Sequence, residues 1–319
     1  MSKLLVVFGS TGTQGGSVIN HVLSTPSLSS TFSIRAITRS TSSKSAQALA
    51  SKGVTLATAD LDDATTLGPA VEGAHAVFLS TISVYDDNIR TREVAQGKNV
   101  ADAAVAAGVE QFIFSSLVNT SEHRGPDSPL QHMDHFDGKA EVEAYIRTLP
   151  IKSAFFAPGC FMQNFHDNQM PRAISEDKKT FGLFNWVSPS TPVPLIETAA
   201  DTGSYITPAL LDPDKYNGAF FASSTEVRTY EQIAEMMTKS TGGEKTIVYK
   251  QLPREVMEGF MPAPMGKYIC DMFGWFESVG YYGPETEEKV EWTKEQVEGS
   301  GGRLTTFEEY LQKHPLILE

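Results

Sequence analysis

The stretch Leu4-Leu5-Val6-Val7-Phe8-Gly9-Ser10-Thr11-Gly12-Thr13-Gln14-Gly15-Gly16-Ser17-Val18-Ile19-Asn20-His21-Val22-Leu23 decides the fold. Five apolar residues in a row, cut off by a glycine, read as a strand buried on both faces. Val18, Ile19, Val22 and Leu23 then recur at helical spacing. Positions 4–23 therefore read as strand, glycine loop, helix. A G-x-x-G-x-x-G spacing in that setting is what dinucleotide binding requires. Gly9 permits the tight turn, Gly12 lets a pyrophosphate approach the backbone, and Gly15 lets helix and strand pack closely. Thr11, Thr13 and Gln14 complete the loop, and the free N–H groups of the helix N-terminus face the phosphates.

Outward from this unit, 34–38, 54–59, 76–80, 112–115 and 151–157 read as further short strands. Helices are expected over about 90–107 and 135–148. The alternation predicts an α/β fold: a doubly wound, parallel-sheet Rossmann domain over 1–158. A smaller mixed α/β C-terminal lobe is expected over 159–319, with some later segments free to return to the first domain. In that half Pro189, Pro192 and Pro194 mark a loop, 200–211 and 230–240 read as helices, and 252–280 mixes Met, Phe, Pro and Gly.

The end of the second strand discriminates between the two nicotinamide cofactors. An acidic residue there binds a ribose 2′-hydroxyl. This chain has Arg39 instead, with Lys44 further on, which predicts NADP(H) through charge-assisted bonds to a 2′-phosphate. Asp60 and Leu61, after the third strand, are placed to meet the adenine. Thr81, after the fourth, is placed near the nicotinamide-side ribose.

The formal net charge of −13 argues against direct nucleic-acid binding. The two cysteines, Cys160 and Cys270, form neither a disulfide framework nor a zinc spacing and read as reduced thiols. The opening apolar run is too short for a signal peptide or a membrane span, so the expectation is a cytoplasmic protein with the nucleus also open to it. His132, Asp134 and His135 lack further ligands at suitable spacing, so no metal is expected. Two apolar clusters stand out. Phe155, Phe156, Phe161, Met162, Phe165 and Met170 read first as core. Met257, Phe260, Met261, Met265, Met272 and Phe273, beside Trp275, could serve a partner or cap an apolar cavity.

The glycine loop through Val18, together with Gln96-Gly97-Lys98, His135-Phe136-Asp137-Gly138-Lys139 and 158–164, resembles the NmrA-like family. This is a branch of atypical short-chain dehydrogenase/reductases, and the resemblance covers nearly the whole chain. It implies NADP binding through Arg39, Lys44, Lys139, Phe161 and Asn164. It also implies one of two roles: regulators that report cofactor state through a transcription factor, or reductases of secondary metabolism. Active short-chain dehydrogenases place Tyr-x-x-x-Lys on one helix face. Here Lys139 is present, but His135 stands in the tyrosine position. The usual serine hydroxyl falls at Leu117, just after Ser115 and Ser116. A neighbouring lysine would depress the histidine pKa rather than make it a better acid. The sequence thus puts first an NADP(H)-binding regulatory protein that senses redox state through a protein partner, without standard dehydrogenase turnover. The alternative is an NADPH-dependent reductase of an apolar carbonyl, enone or imine metabolite. His135 and Lys139 are its candidate catalytic residues, and Tyr268 is a further donor in reserve.

Overall fold

The computed structural model describes residues 2–125 and 127–318. Six strands run through the first half: β1 (Lys3–Val7), β2 (Phe32–Thr38), β3 (Thr55–Thr58), β4 (Ala76–Leu79), β5 (Gln111–Ser115) and β6 (Lys152–Pro158). Between them lie α1 (Thr13–Ser24), α2 (Pro26–Ser29), α3 (Lys44–Ala50), α4 (Leu67–Val71), α5 (Ile89–Ala106) and α6 (Asp134–Ile146). The second half brings β7 (Cys160–Phe161), β8 (Arg172–Ala173), β9 (Thr180–Asn185), β10 (Pro192–Ile196), α7 (Thr198–Leu211), β11 (Phe220–Ser223) and β12 (Glu226–Thr229). It closes with α8 (Tyr230–Ser240), β13 (Thr246–Gln251), α9 (Arg254–Gly259), α10 (Met265–Ser278), α11 (Thr286–Gly299) and α12 (Phe307–Lys313).

Seven strands form one sheet in the order β11-β6-β5-β4-β1-β2-β3, every neighbour parallel. All residues of β4 and β5 are buried, which is why those stretches carry continuous apolar runs rather than alternation. Successive residues of β1 point to opposite faces. Leu5 and Val7 join Val18, Val22, Tyr205 and Ile206 on the α1/α7 side. Val6 and Phe8 join Val100, Ala104, Val142 and Ile146 on the α5/α6 side. The expected doubly wound architecture is therefore present.

The seventh strand comes from beyond residue 158. Phe220 pairs with Phe155 and Ser223 with Pro158, so β11 extends the first sheet at its β6 edge. Helix α7 lies along α1, where Thr207 Oγ1 meets His21 Nε2 at 3.0 Å. The remaining segments build two three-stranded sheets, β12-β10-β7 and β13-β9-β8. Their apolar core holds Phe165, Phe181, Tyr230, Phe273, Trp275 and Tyr282. The Met- and Phe-rich stretch divides accordingly: Met257 and Phe273 are buried, whereas Phe260 is exposed. Phe155, Phe156, Met162 and Phe165 are core, and Met170 is exposed. Among the described residues no helix is long and apolar enough to cross a membrane.

Candidate functional site

Strand order reverses at β1, which has β2 on one side and β4 on the other. In open α/β sheets the crevice at such a reversal, beyond the carboxyl ends of the strands, takes the ligand. The glycine loop sits there. Gly9 has φ +67°, and a Cβ on it would come within 3.1 Å of the Ser80 carbonyl oxygen just past β4. A Cβ on Gly15 would lie 2.4 Å from the Gly9 carbonyl oxygen, so the first turn of α1 packs on the loop only without a side chain. Ser10 Oγ donates to the Ile37 carbonyl at 2.6 Å and ties the loop to β2.

Gly12 is the N-cap of α1, with no side-chain cap and no acidic residue in the first turn. Thr11 and Thr13 are exposed beside it. Gln14 Oε1 is buried without a hydrogen-bond partner among the described residues. An uncapped helix N-terminus with no acidic residue in its first turn is a ready site for an anionic group, so the backbone present fits a pyrophosphate; the Gln14 oxygen is an acceptor and is not one of its donors.

Arg39 is exposed just beyond β2, and Lys44 is exposed at the first position of α3, which Ser43 caps. Asp60 shapes its own turn: its Oδ1 accepts from the Asp62 amide at 3.1 Å and its amide donates to Thr66 Oγ1 at 3.0 Å. Leu61 packs partly buried against the α5-side core. Asp62 in turn accepts from Gln96 Nε2 at 2.7 Å.

Thr81 and Lys139, far apart in sequence, are brought together: Lys139 Nζ donates to Thr81 Oγ1 at 2.8 Å. Between them stands Glu93 on α5, which the sequence reading missed. It is 1% exposed and forms a close ion pair with Lys139, while accepting from Thr81 Oγ1 at 2.5 Å. Its other oxygen accepts from Ser83 Oγ at 3.3 Å. A glutamate in a helix usually faces water, so nothing local marked Glu93.

His135, four residues before Lys139, is 4% exposed, and neither ring nitrogen has a partner among the described residues. It sits in an aromatic wall, with ring centroids 5.0 Å from Phe136, 5.6 Å from Tyr85 and 5.9 Å from Tyr268. Burial, with the Lys139 charge second, pushes its pKa down to about 3. The ring is therefore neutral, and any acid catalysis from it is correspondingly weak. Tyr85 is pushed up to about 12 by burial and by Glu93. Tyr268 is also raised, by burial and by Asp134, whose Oδ2 accepts from its hydroxyl at 3.3 Å. His132 is occupied by the buried Asp271, 3.0 Å from its Nδ1.

The rest of the 135–139 string is structural. Phe136 is core. Asp137 accepts from the Thr120 amide and hydroxyl, from Ser121 Oγ and from Arg124, fixing the loop after β5. In that loop Leu117 is buried and Ser116 Oγ donates to Glu143 at 2.6 Å. Phe161 lies on β7, paired with Ile196 of β10, and Asn164 lies in the following 3₁₀ turn. Cys160 is buried, and burial raises its thiol pKa, which leaves it protonated and unreactive. Cys270 is likewise free and buried.

The sequence profile of the NmrA-like family matches residues 1–311. An NmrA-like family domain-containing oxidoreductase of Penicillium ochrochloron, ptmS, is 30% identical over 268 residues, 79% of this chain and 76% of that protein. Among solved structures, the negative transcriptional regulator NmrA in complex with NADP superposes with a TM-score of 0.79 at 24% identity, covering 98% of this chain and 95% of that one. The Citrobacter sp. triphenylmethane reductase complexed with NADP(H) superposes with a TM-score of 0.74 at 20% identity, covering 97% and 99%.

Proposed function

Because the chain belongs to the NmrA-like family, we propose that it is an NADP(H)-binding reductase whose acceptor is apolar and already activated for hydride. The observation that carries this is His135: a neutral, unpartnered imidazole in an aromatic wall, where a dehydrogenase would hold an acidic phenol. Bound NADPH supplies the hydride. The uncapped N-terminus of α1 holds the pyrophosphate, Arg39 and Lys44 hold the 2′-phosphate, and Lys139 with Thr81 holds the nicotinamide-side ribose. Asp60 and Leu61 would flank the adenine, and Phe161 and Asn164 the nicotinamide. Tyr85, His135 and Tyr268 exclude water and face the acceptor. Losing general acid catalysis forfeits about a hundred- to ten-thousand-fold in rate, which an iminium or a conjugated enone tolerates and a simple ketone does not.

The same missing relay favours a second reading. A protein that grips NADP(H) and turns nothing over is a sensor, reporting cofactor state to a protein partner such as a transcription factor in the cytoplasm or the nucleus. The sequence alone ranks that regulator first. The oxidoreductase name of the Penicillium relative and the aromatic wall support the reductase reading. Steady-state NADPH oxidation over simple ketones, enones and iminium ions separates the two. Turnover confined to the activated acceptors supports the reductase. Absence of turnover across the panel, with NADPH bound, leaves the sensor.

A further inference from the structure

We propose that Glu93 is the positioning residue for Lys139, and that through it one carboxylate sets the protein's hold on the nicotinamide half of the cofactor. This rests on the NADP(H) reading above. The geometry begins with how α5 and α6 meet. A Cβ on Gly97 would lie 2.4 Å from Val142 Cγ1, so the two helices are in contact at that point. Glu93 is one turn before Gly97, and Lys139 is three residues before Val142. Both side chains therefore lie on the facing stripes, one turn from the contact. The register is pinned on the outside by Glu141, which takes Arg90 Nε at 3.4 Å and Lys98 Nζ at 3.2 Å.

An ammonium on a four-carbon stem samples many rotamers unless something fixes it. Lys139 carries three N–H donors. One goes to Glu93 and one to Thr81, which leaves a single donor, with a fixed direction, for a ribose hydroxyl. Glu93 also gathers Thr81 and Ser83 from the loop that carries Tyr85. The ribose contact and the aromatic wall are thus referred to the same buried carboxylate. Burying a charge pair is expensive, and removing one partner leaves the other uncompensated. The pair makes sense where the direction of one N–H matters.

The test compares two ligands: NADPH, and adenosine 2′,5′-bisphosphate, which lacks the nicotinamide half. Glu93→Gln should weaken NADPH binding about tenfold by titration calorimetry, while the bisphosphate changes by no more than about twofold. Lys139→Met should show the same selective loss, and the double variant should be no worse than Lys139→Met alone. Glu93→Asp, which keeps the charge, should recover part of the loss. Unchanged NADPH affinity in Glu93→Gln overturns the proposal, and so does an equal loss of both ligands. If Glu93→Gln does not fold, Glu93→Asp, which withdraws the carboxylate by one methylene, takes its place, with a smaller selective loss of NADPH expected and the same two contrary results. A parent protein that binds neither ligand overturns the cofactor reading itself, and this role with it.

Discussion

Gly97 and Val142 touch where α5 crosses α6, and the contact leaves no room for a methyl group at Gly97. It is also what brings Glu93 and Lys139 face to face. Gly97→Ala should therefore overpack the interface, costing about 1–3 kcal/mol of stability, and should weaken NADPH binding by spreading the two helices. Val142→Ala in the same chain should restore much of both. Thermal denaturation and calorimetry on the two variants check this. A Gly97→Ala protein with parental stability and affinity would contradict the packing argument.

The two loop glycines should separate fold from function. Gly12→Val places a branched side chain at the uncapped start of α1, where only the Gly9 carbonyl comes near, at 3.3 Å. It should abolish NADPH binding with little loss of stability. Gly15→Ala drives a methyl group to 2.4 Å from the Gly9 carbonyl oxygen and should cost both. Melting curves set beside binding isotherms would show the difference. Equal behaviour of the two variants would count against the assignment.

The proposed preference for NADPH is assigned to Arg39. Arg39→Ala should reduce NADPH affinity by roughly ten- to a hundred-fold, the worth of a charge-assisted phosphate contact, and leave NADH nearly unchanged. Calorimetry with both nucleotides decides it. A parent protein that binds NADH and NADPH equally would remove the premise.

Two buried groups oppose each other in the stability–pH curve. Asp201 on α7 accepts from the Thr305 amide at 2.7 Å and from its hydroxyl at 3.0 Å. Burial nevertheless pushes its pKa from 3.8 up to about 7. Between those values the folded state binds the extra proton, so this group's contribution falls as pH rises. His135 runs the other way: with its pKa lowered from 6.5 to about 3, the unfolded state binds the extra proton, and stability is lost on acidification below 6.5. Asp201→Asn should therefore steepen the loss of stability on acidification, and His135→Phe should reverse its sign. Melting temperatures over that range measure both, and curves parallel to the parent's would refute the pairing.

Much of this was legible in the sequence. The β1–loop–α1 unit announces itself because strand, turn and helix are contiguous and each leaves a local pattern. The roles proposed for Arg39 and Thr81 come from their positions at strand ends, and the structure brings Thr81 to Lys139. Lys139 was visible through the resemblance of the 135–139 string. Glu93 was not, because its meaning lies in a partner 46 residues away and depends on the register of two packed helices. Neither was the aromatic wall, which Tyr85, His135 and Tyr268 assemble from three distant segments. The four-residue β11 was hidden as well, because so short a run takes its strand character from pairing with β6.

In the proposed reduction, bound NADPH would supply the hydride and the activated acceptor would need no proton from the protein. The most direct measurement is kcat/KM for NADPH-dependent reduction of a conjugated enone, whose enolate product must take up one proton, by His135→Phe relative to the parent. Phenylalanine preserves the wall and removes both ring nitrogens. The account predicts turnover in both proteins and a ratio within about threefold of one. A fall of about a hundredfold or more with NADPH affinity intact, the range a general acid contributes, would contradict it and make His135 the proton donor.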